Sequence, residues 1–163
     1  MFKHLLLVIS LLSATGVPVG AACAQTDLTV RRLDGSEVVL SDSLLETLTR
    51  ITGTATAHGN AWEWEGTDLR DVLRAAGVTP VDSLRAPQLR RIIMVVGADG
   101  YRVVLALSEL DPGIGNRRAV LVDRESGAAL PPDRGPRRLI VEGDASLIRW
   151  VRQVVRLEVQ DVS

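Results

Sequence analysis

The sequence predicts an α+β fold, with a mixed, partly barrel-like β-sheet and a few short helices. Two observations carry this prediction. The segments with strand character outnumber those with helix character. Their order along the chain also departs from the strand–helix–strand alternation that is typical of parallel α/β proteins.

The N-terminus has the pattern of a secretory signal peptide. Lys3 and His4 are basic, the run 5–12 is apolar, and Ala22-Cys23-Ala24 supplies the small residues that precede a cleavage site. The apolar run is shorter than the roughly 20 residues that cross a bilayer. We therefore predict a signal peptide over residues 1–24, a mature N-terminus at Gln25 and a periplasmic location.

The sole cysteine, Cys23, falls inside this leader. A lipoprotein that is cleaved just before Cys23 is the alternative, since small residues precede it. In the favoured interpretation the mature chain has no thiol. Removing 24 of 163 residues leaves 139, which is the size of one domain, and we predict a single domain over residues 25–163.

The first part of the mature chain predicts a hairpin and a short helix. Runs 28–33 and 37–40 alternate apolar and polar residues, and Asp34-Gly35 between them suits a tight turn. Ser43 and Glu46 then have the spacing of a capping box, which predicts that a helix begins there.

The next part predicts two extended segments and the clearest helix. Residues 51–57 and 62–65 have strand character, so Trp62 and Trp64 are expected on one face. A helix capped by Thr67 follows, and Gly77 is expected to terminate it in the left-handed conformation.

The second half predicts further strands. Residues 91–98 form a nearly continuous apolar run, which favours a strand that is buried on both faces. Asp99-Gly100 is expected to turn this strand into a second one over residues 101–107. The remaining predicted strands are 119–123, 139–142 and 154–159.

Charge and motifs exclude several functions. After the leader is removed, 18 arginines, obtained from 19 basic residues less Lys3, stand against 20 acids, which argues against a nucleic-acid surface. His58 is the only histidine left, so zinc sites with several His or Cys ligands cannot form. The sequence has no Gly-x-Ser-x-Gly motif to expose the nucleophile of a serine hydrolase, and it lacks the common glycine-rich nucleotide-binding motifs.

Three segments, taken in order, point to a family. They are Trp64-Glu65-Gly66 before a helix, Asp99-Gly100-Tyr101, and Gly135-Pro136-Arg137-Arg138-Leu139, which Trp150 and a last strand follow. Together they resemble the molybdopterin-binding domain of the sulfite oxidase family, in its small periplasmic single-domain form. The resemblance covers nearly the whole mature chain and implies a compact, mixed α+β domain with a partly barrel-like sheet.

The resemblance also implies a departure from the catalytic members. Their molybdenum is bound by a cysteine thiolate upstream of the Trp-x-Gly segment, and the matching position lies near Thr54. A hydroxyl is a harder and less acidic ligand than a thiolate. We therefore expect that the chain has no catalytic residue and binds no metal. The expected ligand is a pterin, a class that includes molybdopterin.

A pterin site needs a plane for stacking and groups that bind the polar edge of the ring. Trp62 or Trp64, Tyr101, Asp99 and Arg138 offer such groups. Arg134 is a candidate on the loop over the cleft, and His58 is a candidate loop contact. The predicted ligand-binding residues are therefore His58, Trp62, Trp64, Asp99, Tyr101, Arg134 and Arg138.

Three hypotheses for function remain open. The leading one, implied by the resemblance to small exported relatives, is a non-catalytic pterin sensor that acts on the periplasmic domain of a membrane signalling protein, either a cyclic-di-GMP enzyme or a sensor kinase. The second is a molybdopterin-dependent oxidoreductase that binds its cofactor without a protein thiolate. The third is an interaction module whose cleft is closed by side chains.

Overall fold

The computed structural model describes residues 27–57 and 59–162, in which ten strands and three short α-helices are assigned. The predicted signal peptide and His58 lie outside the described residues. The strands are β1 (Leu28–Arg31), β2 (Glu37–Leu40), β3 (Arg50–Ala57), β4 (Asn60–Asp68), β5 (Arg91–Gly97), β6 (Arg102–Ala106), β7 (Ala119–Glu125), β8 (Ala128–Ala129), β9 (Arg138–Val141) and β10 (Val154–Asp161). The helices are α1 (Asp42–Glu46), α2 (Leu69–Ala75) and α3 (Leu107–Leu110).

The strands form two sheets. The first has the order β2-β1-β10-β5-β6, and its β1–β10 pair is parallel while its other pairs are antiparallel. The second has the order β3-β4-β7-β8, and β9 also pairs with β7. The mixed α+β fold with few short helices is thus confirmed. The sheets do not close into a barrel, because their edge strands pair with no other strand of the described chain.

Local turn chemistry explains the first hairpin. Gly35 has a φ of +82°, and the Asp34 carboxylate accepts hydrogen bonds from the amide and the hydroxyl of Ser36. These hydrogen bonds lower the pKa of Asp34 from its ordinary value. The predicted hairpin of β1 and β2 is confirmed.

The helix starts differ slightly from the predictions. α1 is capped by Ser41, whose hydroxyl accepts from the Leu44 amide, so the predicted capping box at Ser43 begins two residues too late. α2 is capped by Asp68 and not by Thr67, because the Asp68 carboxylate accepts a hydrogen bond from the Arg70 amide at 2.8 Å. Gly77 follows the helix with a φ of +77°, as predicted.

The strand β5 is covered on one face only. Ile93 and Val95 are buried, whereas Ile92, Met94 and Val96 are half-buried. The prediction of a strand buried on both faces is therefore wrong, since alternate residues of β5 remain partly exposed.

The apolar residues form two clusters on opposite faces of the second sheet. Leu121 of β7 and Leu139 of β9 belong to the larger cluster, which α2 and the inner face of the first sheet complete. The alternate residues Val120, Val122 and Ile140 belong to the smaller cluster. The second sheet therefore has a second covered face, and the tryptophans lie there.

Among the described residues, none of the helices is sufficiently long and apolar to span a bilayer.

Candidate functional site

A tryptophan cluster covers the outer face of the second sheet. We use this name for Trp62, Trp64, Glu125, Arg138 and Trp150. The rings of Trp62 and Trp150 meet edge to face, with centroids 6.0 Å apart and an interplanar angle of 80°. The guanidinium of Arg138 lies 5.2 Å from the centroid of the Trp150 ring, which is a cation–π contact.

A single carboxylate in this cluster is shared by two arginines. Arg138, which is 8% exposed, donates from Nη1 to Oε1 of Glu125 at 2.7 Å. Arg134 donates to Oε2 of the same carboxylate. These contacts place the predicted residues Trp62, Arg134 and Arg138 together, and they engage those side chains with one another.

Trp64 lies beneath them at 1% exposure. Its indole crosses Gly53 so closely that a Cβ on Gly53 would come within 2.2 Å of Cζ2. Position 53 therefore admits no side chain unless the indole moves. The Nε1 atoms of Trp62 and Trp64 and the Nε of Arg138 are buried without a hydrogen-bond partner in the described chain.

Asp99 and Tyr101 lie elsewhere, in the turn between β5 and β6 of the first sheet. The Asp99 carboxylate accepts from the Tyr101 amide at 2.9 Å, and Gly100 has a φ of +83°. The Tyr101 hydroxyl donates to the Ile148 carbonyl at 2.6 Å. The Asp99 side chain therefore stabilises the turn. The Tyr101 side chain connects the turn to the segment that leads to Trp150.

The open space lies on the other face of the second sheet. There a cleft of about 530 Å³, called the polar cleft below, runs between α1, β7 and the chain before β9. Its lining residues are Asp42, Leu45, Glu46, Arg50, Glu65, Asp123, Arg124, Ala129, Leu130, Pro136 and Arg137.

A smaller hollow of about 310 Å³ adjoins the polar cleft and shares Glu65 with it. Thr52 and Thr54 of β3 face it, opposite Glu65 and Glu63 of β4 respectively. Trp64 also lines this hollow, so a cavity lies beside Trp64, whereas Arg138 lines neither space.

Arg50 is the central cation of the polar cleft. Its Nη1 donates to Oδ2 of Asp123 at 2.7 Å, its Nη2 donates to Oδ1, and its Nε donates to Oε1 of Glu65 at 2.9 Å. These hydrogen bonds, those to Asp123 foremost, raise the pKa of Arg50 above its ordinary value. The guanidinium is therefore a fixed, charged plane, and its side chain is 26% exposed.

Other groups of the polar cleft keep free hydrogen-bonding capacity. Arg124 and Glu46 are exposed and make no hydrogen bond or ion pair with the described chain. Oε2 of Glu65 is likewise without a partner there. By contrast, Arg137 is buried and paired with Asp42.

The sequence analysis did not single out Arg50, Glu65, Asp123 or Arg124. One signal was present, because Glu63 and Glu65 alternate with the two tryptophans along β4. That alternation predicts a polar face opposite the aromatic one.

Comparison with known proteins gives the family. A search of curated proteins finds no match. Among solved structures, the sulfane dehydrogenase SoxCD from Paracoccus pantotrophus is similar, with a TM-score of 0.63 and 21% identity over 83% of this chain. The chain spans only 38% of that chain's length, so the likeness shows the fold. The family model "Oxidoreductase molybdopterin binding domain" matches residues 20–163, and the protein therefore belongs to the oxidoreductase molybdopterin-binding domain family.

Proposed function

We propose that this domain binds a pterin in the polar cleft without supplying a protein ligand to a metal. The observation that carries the proposal is the cleft itself, which combines a fixed guanidinium plane with unpaired acceptors and donors. Its volume of about 530 Å³ lies within the roughly 300–1,000 Å³ that is usual for small-molecule sites.

The chemistry of the cleft fits the pterin. The exposed part of Arg50 offers a plane on which a flat heterocycle can stack. The free Oε2 of Glu65 can accept hydrogen bonds from the amino-pyrimidine edge, and Arg124 can donate to the ring carbonyl oxygen.

The residues present do not fit the molybdenum of the catalytic members. Thr54, which stands near the position of the metal-binding cysteine, offers an exposed hydroxyl on β3. The described residues contain no group of three His, Cys, Asp or Glu side chains that could hold a metal ion. We derive no oxygen-transfer step from this site.

Binding without metal chemistry supports a sensing role. We place the domain in the periplasm and propose that it reports pterin occupancy to the periplasmic domain of a membrane signalling protein, such as a cyclic-di-GMP enzyme or a sensor kinase. The support for this role is the lack of a cysteine among the described residues, together with the resemblance of the chain to small exported pterin-binding regulators.

Calorimetry with tetrahydrobiopterin tests the proposal. The wild-type protein should release heat and bind one equivalent, and Glu65→Gln and Arg124→Gln should each weaken binding about tenfold. Arg102→Gln is the matched control, because Arg102 is exposed on the first sheet and makes no polar contact with the described chain. Absence of heat with tetrahydrobiopterin and with other reduced pterins would refute the proposal.

The family match favours one second candidate, an oxidoreductase that retains molybdopterin by non-covalent contacts alone. Metal analysis of protein purified from its native host separates the two. Stoichiometric molybdenum would support the oxidoreductase, and its absence alongside bound pterin would support the sensor.

A further inference from the structure

A second cavity lies at one end of the first sheet, away from the polar cleft. It has a volume of about 380 Å³. Its lining residues are Arg32, Leu33, Asp34, Gly77, Val78, Thr79, Arg91 and Val159, none of which lines the polar cleft. The cavity forms where the ends of β1 and β10 meet the start of β5 and the chain that follows α2.

Arg91 in this cavity has more hydrogen-bond donors than the protein satisfies. Its side chain is only 19% exposed, and it makes no hydrogen bond with the described chain. Its Nε is buried without a hydrogen-bond partner and forms only a long ion pair with Oδ1 of Asp161, 3.5 Å away. A guanidinium carries five N–H donors, and buried polar groups are normally satisfied. An external acceptor would explain this deficit.

Arg32 presents a second guanidinium to the same cavity. Its Nε donates to the Ala76 carbonyl at 2.6 Å, which fixes the side chain against the end of α2. The guanidinium lies over Gly77, where an added Cβ would come within 2.9 Å of Nη2. The two terminal nitrogens of Arg32 make no hydrogen bond with the described chain and remain available to a ligand.

The walls and the rim indicate the class of ligand. Val78 and Val159 supply apolar wall, and Leu33 at the mouth is 42% exposed. Asp34 on the rim and Asp161 beside Arg91 offset the charge of the two arginines, so the cavity and its immediate surroundings are close to neutral. That balance suits one carboxylate better than a doubly charged phosphate. We propose that Arg32 and Arg91 form a binding site for a small aliphatic carboxylate, whose oxygens pair with the guanidiniums and whose carbon chain contacts the valines.

NMR titration of the full chain tests this site, with butyrate, butyramide and inorganic phosphate as probes. Butyrate should shift the amide resonances of residues 32–34, 77–79 and 91, and it should bind more tightly than phosphate. Arg91→Gln should weaken butyrate binding at least about tenfold. Arg102→Gln, which changes an exposed arginine at the opposite end of the β5–β6 pair, should leave it unchanged.

The thermal midpoint of Arg91→Gln separates a binding role from a structural one. Because the Arg91 side chain makes no hydrogen bond with the described chain and only a long ion pair with Asp161, its replacement should change the midpoint little. A large fall in the midpoint would assign Arg91 to stability and overturn the proposal. Equal binding of butyramide, tighter binding of phosphate, or no shift with butyrate would each overturn it as well.

Discussion

The two faces of the second sheet use arginine and carboxylate in opposite ways. In the tryptophan cluster Arg138 is 8% exposed, is paired with Glu125 and is stacked on Trp150, so the cluster is closed. In the polar cleft Arg50 is paired just as fully, yet it borders a space of about 530 Å³ with the unpaired Arg124 beside it. A paired arginine therefore has a structural role on one face and lines the proposed binding site on the other. The two cases differ in the free volume beside the arginine.

This difference predicts that changes in the cluster act on stability and that changes in the cleft act on binding. The largest effect on stability should come from Trp64→Ala. Replacing this buried indole should lower the free energy of unfolding by about 4 kcal/mol, since the change creates a cavity. Urea unfolding followed by circular dichroism measures it.

A double-mutant cycle sharpens that result. Gly53→Ala alone should destabilise the protein, because its Cβ would overlap the indole of Trp64. In the Trp64→Ala background the same change should lower the free energy of unfolding far less. Strictly additive effects would contradict the packing described for Gly53.

Glu125→Gln should have the next largest effect. It leaves the buried Arg138 without its counter-charge, and we expect a loss of about 3 kcal/mol in the free energy of unfolding. Asp133→Asn is the control, because Asp133 is exposed and makes no ion pair in the described chain, and it should change little. An equal effect of both variants in chemical denaturation would show that the shared carboxylate is unimportant.

Asp123→Asn tests the role of the ion pair between Asp123 and Arg50 in the polar cleft. The side chains of Asp123 and Arg50 are 30% and 26% exposed, so solvent screening limits the loss of stability to about 1 kcal/mol. Pterin affinity should fall more markedly, because the guanidinium plane is no longer fixed. Unfolding and calorimetry on the same preparation would show whether the two effects separate in this way.

Arg124→Gln should have the smallest effect on stability. The Arg124 side chain is exposed and makes no hydrogen bond or ion pair with the described chain, so the free energy of unfolding should change by less than about 0.5 kcal/mol. The affinity for the pterin should nevertheless fall. A variant that loses stability but still binds normally would reverse the contrast between the two faces.

The sequence predicts the local features of this fold well. The hairpin at Gly35, the end of α2 at Gly77 and the shared face of Trp62 and Trp64 all follow from turn chemistry and strand periodicity. The small shifts at Ser41 and Asp68 arise because a neighbouring side chain competes successfully for the capping role.

The site depends on contacts that no local pattern contains. Arg50 meets Asp123 across 73 residues of sequence, and the pairing of β4 with β7 shifts register between Glu65 and Gly66. These features follow from how the second sheet assembles. The sequence motifs pointed to Trp64 and Arg138, and in the structure both are buried in the wall of the domain.

NMR mapping of a bound pterin tests the central claim most directly. Trp62 and Trp150 lie in the tryptophan cluster and line neither the polar cleft nor the hollow beside it, so their indole N–H resonances report on the cluster face. On addition of tetrahydrobiopterin we predict shifts in the amides of residues 42–50, 65, 123–130 and 137, with little movement of the indole signals of Trp62 and Trp150. Dominant shifts of those indole signals, with an unperturbed polar cleft, would contradict the account.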